Sequence, residues 1–343
     1  MAETGRTRAA PQQLSCQPRS RSRRRLHVTL TVDFDAVSGL LGTGHDPRNN
    51  LADLSGGVFS AKVGVRRLLR LFERFSLADR VSWFMPGHSI ESFPEEAKAI
   101  AETGCEIGLH GYSHEDCAAM TFAQERDVLK NCIRIVEKLC GRKPVGYRAP
   151  LYTARQHTLD LLREYGLLYD ASLNAHDSRP YFLPDTPRLE PIVPDYSQPA
   201  SSWMRPLPQP DPVDPRTSLI EMPGSWYTED MTPLAYYPYQ PNSQGYVSTD
   251  VVEKMWWDRF IWLWENECDI SAGDGDDNFG SWFSTIWHPE SAGRSHIMPM
   301  IERFLARVVH FARHEAHDGE ITFETMEEVA RAFRVSETKK SIS

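Results

Sequence analysis

Two rhythms of apolar and polar positions run along this chain. Leu26–Phe34 (LHVTLTVDF) is dense in β-branched residues and reads as a strand. Lys62–Phe75 carries the apolar stripe of an amphipathic helix. Val81–Met85 (VSWFM) is a second strand, stopped by Pro86-Gly87. Ser92–Glu102 has a helix-start pattern, with Ser92 as cap and Glu95 completing a capping box. Glu106–Leu109 is a short strand. Thr121–Leu139 is a long helix begun by Thr121 and stopped at Gly141. A strand at Pro144–Tyr147, a helix at Ala154–Tyr165 and a strand at Leu167–Asp170 follow. Strands alternating with helices in this way argue for an α/β chain with a parallel sheet or barrel.

The rhythm then breaks. Residues 174–218 hold Pro194, Pro199, Pro206, Pro208, Pro210, Pro212 and Pro215, which exclude regular structure through much of that stretch. It reads as a loop insertion, and residues 228–246, with the aromatic and proline-rich Tyr236–Tyr246, as a second. Between them Thr217–Met222 reads as a strand. Thr249–Glu267 reads as a helix with Thr249 as cap, its Trp256, Trp257, Trp262 and Trp264 serving mostly for packing. Residues 269–280 are acidic and glycine-rich but are not an EF-hand: Phe279 falls where the loop needs Gly, and Thr285 where it needs Glu. Ser281–Trp287 is a last strand, and His296–His314 and Phe323–Phe333 are closing helices. The layout is a basic tail over 1–25, one domain over 26–335 and a short tail over 336–343.

Composition narrows the function classes. The chain has 343 residues, 41% hydrophobic and 25% charged, as globular proteins do, and a formal net charge of −9. Acidic balance argues against nucleic acid as a partner, and no apolar run is long enough for a membrane span. Residues 1–25 are the exception, with seven arginines against Glu3 alone among acids. They lack the apolar core of a secretory signal and read as a disordered basic tail; an organelle transit peptide or a nuclear localisation patch is the sharper alternative. The expected location is therefore intracellular, in the cytoplasm unless the basic tail directs the chain to an organelle. The six cysteines form no Cys-x-x-Cys pair, and reduced thiols are the expectation.

The chemistry sits at the strand ends. The first strand ends in Asp33-Phe34-Asp35, two carboxylates facing the same side. Such a pair is costly unless a cation or a shared proton relieves the repulsion. His88 follows the second strand, where it can simply close a Pro-Gly turn. His110 and His114 follow the third at a spacing that lets both imidazoles face one ion. Arg148 ends the fourth strand, Asp170 the fifth, and His288-Pro289-Glu290 the last. Glu290 alone reads as a helix-start charge. Working residues in parallel α/β folds gather at the C-terminal ends of strands, so the ordered series outweighs any one member.

These residues resemble the polysaccharide deacetylase family, also called the NodB-homology or carbohydrate esterase 4 hydrolases, in order from about residue 28 to 290. Asp33-Phe-Asp35 resembles the first motif in the form used by the peptidoglycan deacetylase-like and cyclic imidase branch; the more widespread form has two adjacent Asp. His110-Gly-Tyr-Ser-His114, Arg148-Ala-Pro150 and Ile286-Trp-His-Pro289 resemble later motifs, and Asp170-Ala-Ser172 a shortened one. Trp83–His88 and Glu221–Trp226 also resemble that branch.

The resemblance implies an incomplete (β/α) barrel. It implies that Asp35, His110 and His114 hold one divalent ion, with zinc the first expectation and cobalt or nickel also suited to the ligands. It implies a metal-bound water attacking an amide, Asp33 as general base, Arg148 holding Asp33, His288 as general acid and Asp170 orienting His288. Trp226 and Trp287 are candidates to stack on a substrate ring, and His88 to touch it. The substrate class is an N-acetylated carbohydrate; the alternative is a cyclic imide or ureide, and a weaker one a carbohydrate-binding relative without catalysis. Oligomeric state is not legible in the chain.

Overall fold

The computed structural model describes residues 23–41, 51–185, 193–206, 209–224, 226–236, 245–270 and 278–342. The arginine-rich residues 1–22, and parts of both expected insertions and of the acidic stretch, lie outside the described residues.

Among the described residues nine strands form one sheet: β1 (Arg24–Asp33), β2 (Val81–Met85), β3 (Glu106–Leu109), β4 (Gly146–Tyr147), β5 (Tyr169–Asp170), β6 (Tyr181–Phe182), β7 (Ile220–Glu221), β8 (Ser281–Trp287) and β9 (Gly319–Phe323). The order is β6-β7-β5-β4-β3-β2-β1-β8, with β9 also on β1. Every described pairing between these strands is parallel except β6 with β7. The sheet curls into the expected incomplete barrel.

β1 is its axis. Leu26–Asp33 is buried throughout, which is why this strand reads as a nearly unbroken apolar and β-branched run rather than an alternation. β8 pairs along Leu26–Val32. β2 and β9 share the other edge, β2 at Leu30–Asp33 and β9 at Arg24–Val28. β8's far edge meets irregular backbone instead of a strand. Trp282 N donates to Ser178 O (2.8 Å), Ile286 N to Thr228 O (3.1 Å) and Asp230 N to Ile286 O (3.2 Å). The incomplete side of the barrel is thus sealed by pieces of the two expected insertions.

Several boundaries depart from the sequence reading. Arg24 and Arg25 belong to β1, not to a tail, because β9 supplies backbone partners. β9 itself was not expected: Phe323 closes a strand, and the last helix runs Met326–Lys340, capped by Thr325 with Glu328, through most of the expected C-terminal tail. Ser92 does not start a helix; it ends Gly87–Ser92, and Pro94–Ala101 begins behind Phe93 without a side-chain cap. Ser248 rather than Thr249 precedes Thr249–Asn266, again without a side-chain cap. The helix read from Lys62 starts earlier, at Leu51–Phe59, passes through a π-helical turn at Ser60–Val65 and ends as Arg66–Phe75. In that turn Gly64 lies against the backbone after β8, where an added Cβ would come within 2.2 Å of Pro289 O. The expected strands at Glu106–Leu109 and Ser281–Trp287 and the Thr121 cap with its Gly141 stop are found as read, although Ser281–Trp287 is followed by β9 and is not the last strand.

Candidate active site

Three of the expected residues converge at the C-terminal ends of β1 and β3. Asp35, His110 and His114 are buried and present ligand atoms that all lie within 4.8 Å of one another. Asp35 Oδ1 is 3.4 Å from His110 Nε2, and Asp35 Oδ2 is 3.5 Å from His114 Nε2. The chain makes this geometry with local devices. Asp35 O accepts from Ser38 N (2.9 Å), Ser38 Oγ (2.6 Å) and Ser89 Oγ (2.7 Å), which fixes the turn after β1. His114 sits at φ 60°, a left-handed backbone that a β-carbon disfavours and that recurs at functional sites. Glu115 accepts from Tyr112 N (2.9 Å) and Ser113 N (2.7 Å) and so holds the His110–His114 turn. Gly111, at φ 67°, is required there, since a Cβ would meet Glu115 Oε2 at 2.8 Å.

The set fits a divalent cation. His110 Nδ1 donates to Arg148 O (2.8 Å), which leaves Nε2 as a lone-pair donor toward Asp35. Asp35 Oδ1 is buried without a hydrogen-bond partner. Burial outweighs the attraction of the Asp35 charge and pushes His114 down to about 4, so its imidazole is neutral, the ligating form. Burial works against charge on Asp35 too, yet His114, His110 and His288 hold it well below the ordinary carboxylate range.

A second group surrounds Asp33. Arg148 is buried; its Nη1 donates to Asp33 Oδ1 in a very short contact and to Thr31 Oγ1 (3.2 Å), and its guanidinium lies 4.1 Å over the Phe84 ring. Burial opposes the Arg148 charge, and Asp33 more than restores it. The free oxygen of Asp33, Oδ2, stands 3.8 Å from both His110 Nε2 and His288 Nε2. His288 is oriented from behind: Nδ1 lies 2.8 Å from Asp230 Oδ1. Asp230 also accepts from His288 N (3.0 Å) and Ala292 N (2.8 Å). Burial lowers the affinity of His288 for a proton, but Asp230, Asp35 and Asp33 outweigh it and raise the imidazole well above its usual value.

Asp170 does not do what was expected of it. Its Oδ1 accepts from Ser172 Oγ (2.7 Å), and burial raises its carboxyl to about 6 beside Glu221, which is pushed well above its ordinary value by burial and by Asp170. β5 pairs Asp170 with Glu221 in register, so the two carboxyls meet each other and not His288. Asp230 takes that place. Its sequence signal is faint: Glu229 and Asp230 are the charged residues in the aromatic stretch from Trp226 to Tyr239.

The other candidates divide. Trp287 is fully buried and stacked on Phe72 (6.1 Å between centroids, 2° between planes), so it packs the core and offers no face to a substrate. His88 lies in the helix Gly87–Ser92, its ring edge-on to Tyr112 and its backbone N donating to Tyr112 O (2.8 Å); it braces the histidine turn rather than joining the cluster. Trp226 is 38% exposed and edge-on to Tyr152 at 4.6 Å. Glu290 is buried and accepts from Ser60 Oγ (2.7 Å), with its carboxyl pushed up to about 8 by burial and by Asp35. The helix-start reading of Glu290 is therefore wrong; the helix behind it begins at Met298.

Comparison with known proteins places this geometry in a lineage. The family model described as polysaccharide deacetylase matches residues 62–169. A peptidoglycan deacetylase-like protein of Gibberella zeae is 45% identical over 91% of this chain and 87% of its own. A peptidoglycan deacetylase of Helicobacter pylori is 36% identical over 89% of this chain and 95% of its own. The crystal structure of the Puue allantoinase shares the fold, with a TM-score of 0.67 at 20% identity, covering 96% of this chain and 99% of that one. On the extent and identity of the two sequence matches, the chain belongs to the polysaccharide deacetylase family.

Proposed function

We propose that the protein is a divalent-metal-dependent hydrolase of amide carbon–nitrogen bonds that removes acetyl from an N-acetylated carbohydrate. The observation that carries the reading is the convergence of Asp35, His110 and His114, with Asp35 Oδ1 buried and unpartnered at the centre. These three residues would hold the ion, zinc first and cobalt or nickel next on ligand type. A bound ion of this kind lowers the pKa of a coordinated water and polarises an acyl oxygen.

The chain supplies the rest. Arg148 fixes Asp33 by one oxygen and leaves Oδ2 facing the cluster, placed to accept a proton from water. His288, kept protonated by the acidic groups around it, presents Nε2 on the same side and donates to the departing nitrogen. Asp230 fixes the tautomer and the tilt of His288 through Nδ1. Proton acceptor and proton donor thus flank one spot, as amide hydrolysis needs because an amine leaves poorly without protonation. No serine or cysteine nucleophile is required, and the cysteines near the site are buried with thiols pushed up to about 12 by burial. The acid, the base and the ligand set are all present, which argues against a relative that only binds sugar.

The deciding assay gives the protein N-acetylglucosamine oligomers, succinimide, hydantoin and allantoin, each with zinc, cobalt or nickel. Acetate release from the oligomers is expected. Ring opening of a cyclic substrate with no acetate release would replace the deacetylase reading by a cyclic amidohydrolase, and inactivity on all of them would leave neither.

A further inference from the structure

We propose that Tyr152 and Glu229 contact the substrate directly, forming with Trp226 a wall that recognises the hydroxyl groups of a sugar ring. The proposal rests on the deacetylase reading and names the part of the site that chooses the substrate.

The backbone is bent out of its way to present Tyr152. Leu151 and Tyr152 are consecutive residues in the left-handed region, at φ 53° and 56°. Neither is glycine, so each is disfavoured, and strain of this kind persists where the surroundings impose it. The surroundings here are specific. Tyr152 N donates to Ala149 O (3.0 Å), and the ring is seated against Gly224, where a Cβ would come within 2.6 Å of Tyr152 Cε1. Trp226 closes the other side, edge-on at 4.6 Å. Thus the tyrosine two residues beyond Pro150 is pressed into place by a glycine notch and a tryptophan. Its half-buried phenol feels Arg148, Glu229, Asp33 and Asp230, the charged groups of the site. No described residue hydrogen-bonds its hydroxyl, and burial keeps it a neutral donor.

Glu229 arrives from the opposite side of the barrel. The segment Thr228–Asp230 is held to β8 by the Ile286 backbone, two residues before His288. Asp230 turns to His288 Nδ1, and Glu229 stands beside it, 3% exposed. Thr232 N donates to Glu229 Oε1 (2.9 Å), and Thr232 Oγ1 makes a very short bond to the same oxygen. No described residue bonds Oε2. A carboxylate buried to this degree with one oxygen anchored and one uncommitted is costly unless a ligand uses it. Trp226 ties the Tyr152 ring to the segment that carries Glu229 and Asp230, so Tyr152 beyond Arg148 offers a donor and Glu229 beside the His288 partner offers an acceptor. A hydroxyl group both donates and accepts, and a pyranose carries several around an apolar face that suits the half-exposed Trp226. The wall matches an amino sugar as the leaving group.

The test uses Tyr152→Phe and Glu229→Gln. Phe keeps the ring against Gly224 and Trp226, and Gln keeps an oxygen for Thr232, so melting temperature and bound metal should match the wild type. KM for the N-acetylglucosamine trimer should rise about tenfold for each, the worth of one hydrogen bond to a charged or tightly held group. For p-nitrophenyl acetate, whose leaving group has no sugar hydroxyls, kcat/KM should stay within about twofold. In an Asp33→Asn background, where turnover stops, the trimer's Kd by calorimetry should rise by the same factor as KM. Equal losses on trimer and ester, or no change in KM and Kd for the trimer, would overturn the proposal. Wild-type protein that cleaves the ester but neither cleaves nor binds the trimer would instead overturn the sugar reading, and this inference with it; no variant is needed to see that outcome.

Discussion

The Asp33 side and the His288 side of the site are built differently. Asp33 closes β1, and Asp35, His110, His114 and Arg148 follow β1, β3 and β4, parallel strands in one contiguous stretch of sheet whose ends lie level by register. Their positions follow from strand length and backbone pairing. His288 follows β8 on the far edge of β1, and its partner Asp230 belongs to no strand of the sheet. That half depends on Thr228–Asp230 being laid against Ile286 and on the Gly64 turn being packed beneath Pro289. One half is supported by regular backbone, the other by a single tertiary seam. The seam should be the more easily disturbed, and the two halves should fail differently.

The largest expected effect is on the first half. Asp35→Ala or His114→Ala should remove both the bound metal and essentially all turnover, read by elemental analysis and acetate release. Full activity in the metal-free variant would end the metal reading. His288→Ala should keep the metal and lose rate by roughly 10²–10⁴-fold, the usual worth of a general acid. Unchanged kinetics would remove His288 from the mechanism.

Asp230 and Asp170 make the sharpest contrast. His288 is raised above its ordinary value, so its protonated form, and the activity that needs it, is lost only as pH rises through that elevated value. Asp230→Asn removes a cause of the rise and should move the alkaline limb of the kcat–pH profile to lower pH. Asp170→Asn should leave that limb in place. It should instead change stability. Asp170 is raised to about 6 in the folded chain, so folding favours its protonated form, and stability is lost as pH rises from about 4 through 6. The Asn variant should lack that loss, as followed by melting temperature against pH. A shifted alkaline limb in the Asp170 variant would restore the role first read for it.

The smallest effect is on packing. Gly64→Ala places a Cβ against the Pro289 carbonyl and should cost about 1–3 kcal/mol, measured by denaturant unfolding. The cost arises from backbone atoms, which cannot swing aside.

Much of the fold was legible because parallel strands buried on both faces leave dense apolar runs, and because Thr121 and Gly141 chemically mark the ends of a helix. Short pairs such as β6, and β9 with its exposed start, left no such trace, and their pairing partners lie far away in sequence. Likewise the sequence by itself marked Asp35, His110, His114 and Arg148 as residues gathered at strand ends, whose places follow from where each strand stops. Only the tertiary structure decided which carboxylate meets His288. Asp170 and Asp230 are both buried acids, and a side chain's partner depends on the register of segments dozens of residues apart. β5 turns Asp170 toward Glu221, and the seam along Ile286 delivers Asp230. Trp287 was decided in the same way, by Phe72 and Trp256 packing over it. Residue type names a chemistry, and long-range backbone pairing determines where that chemistry is used.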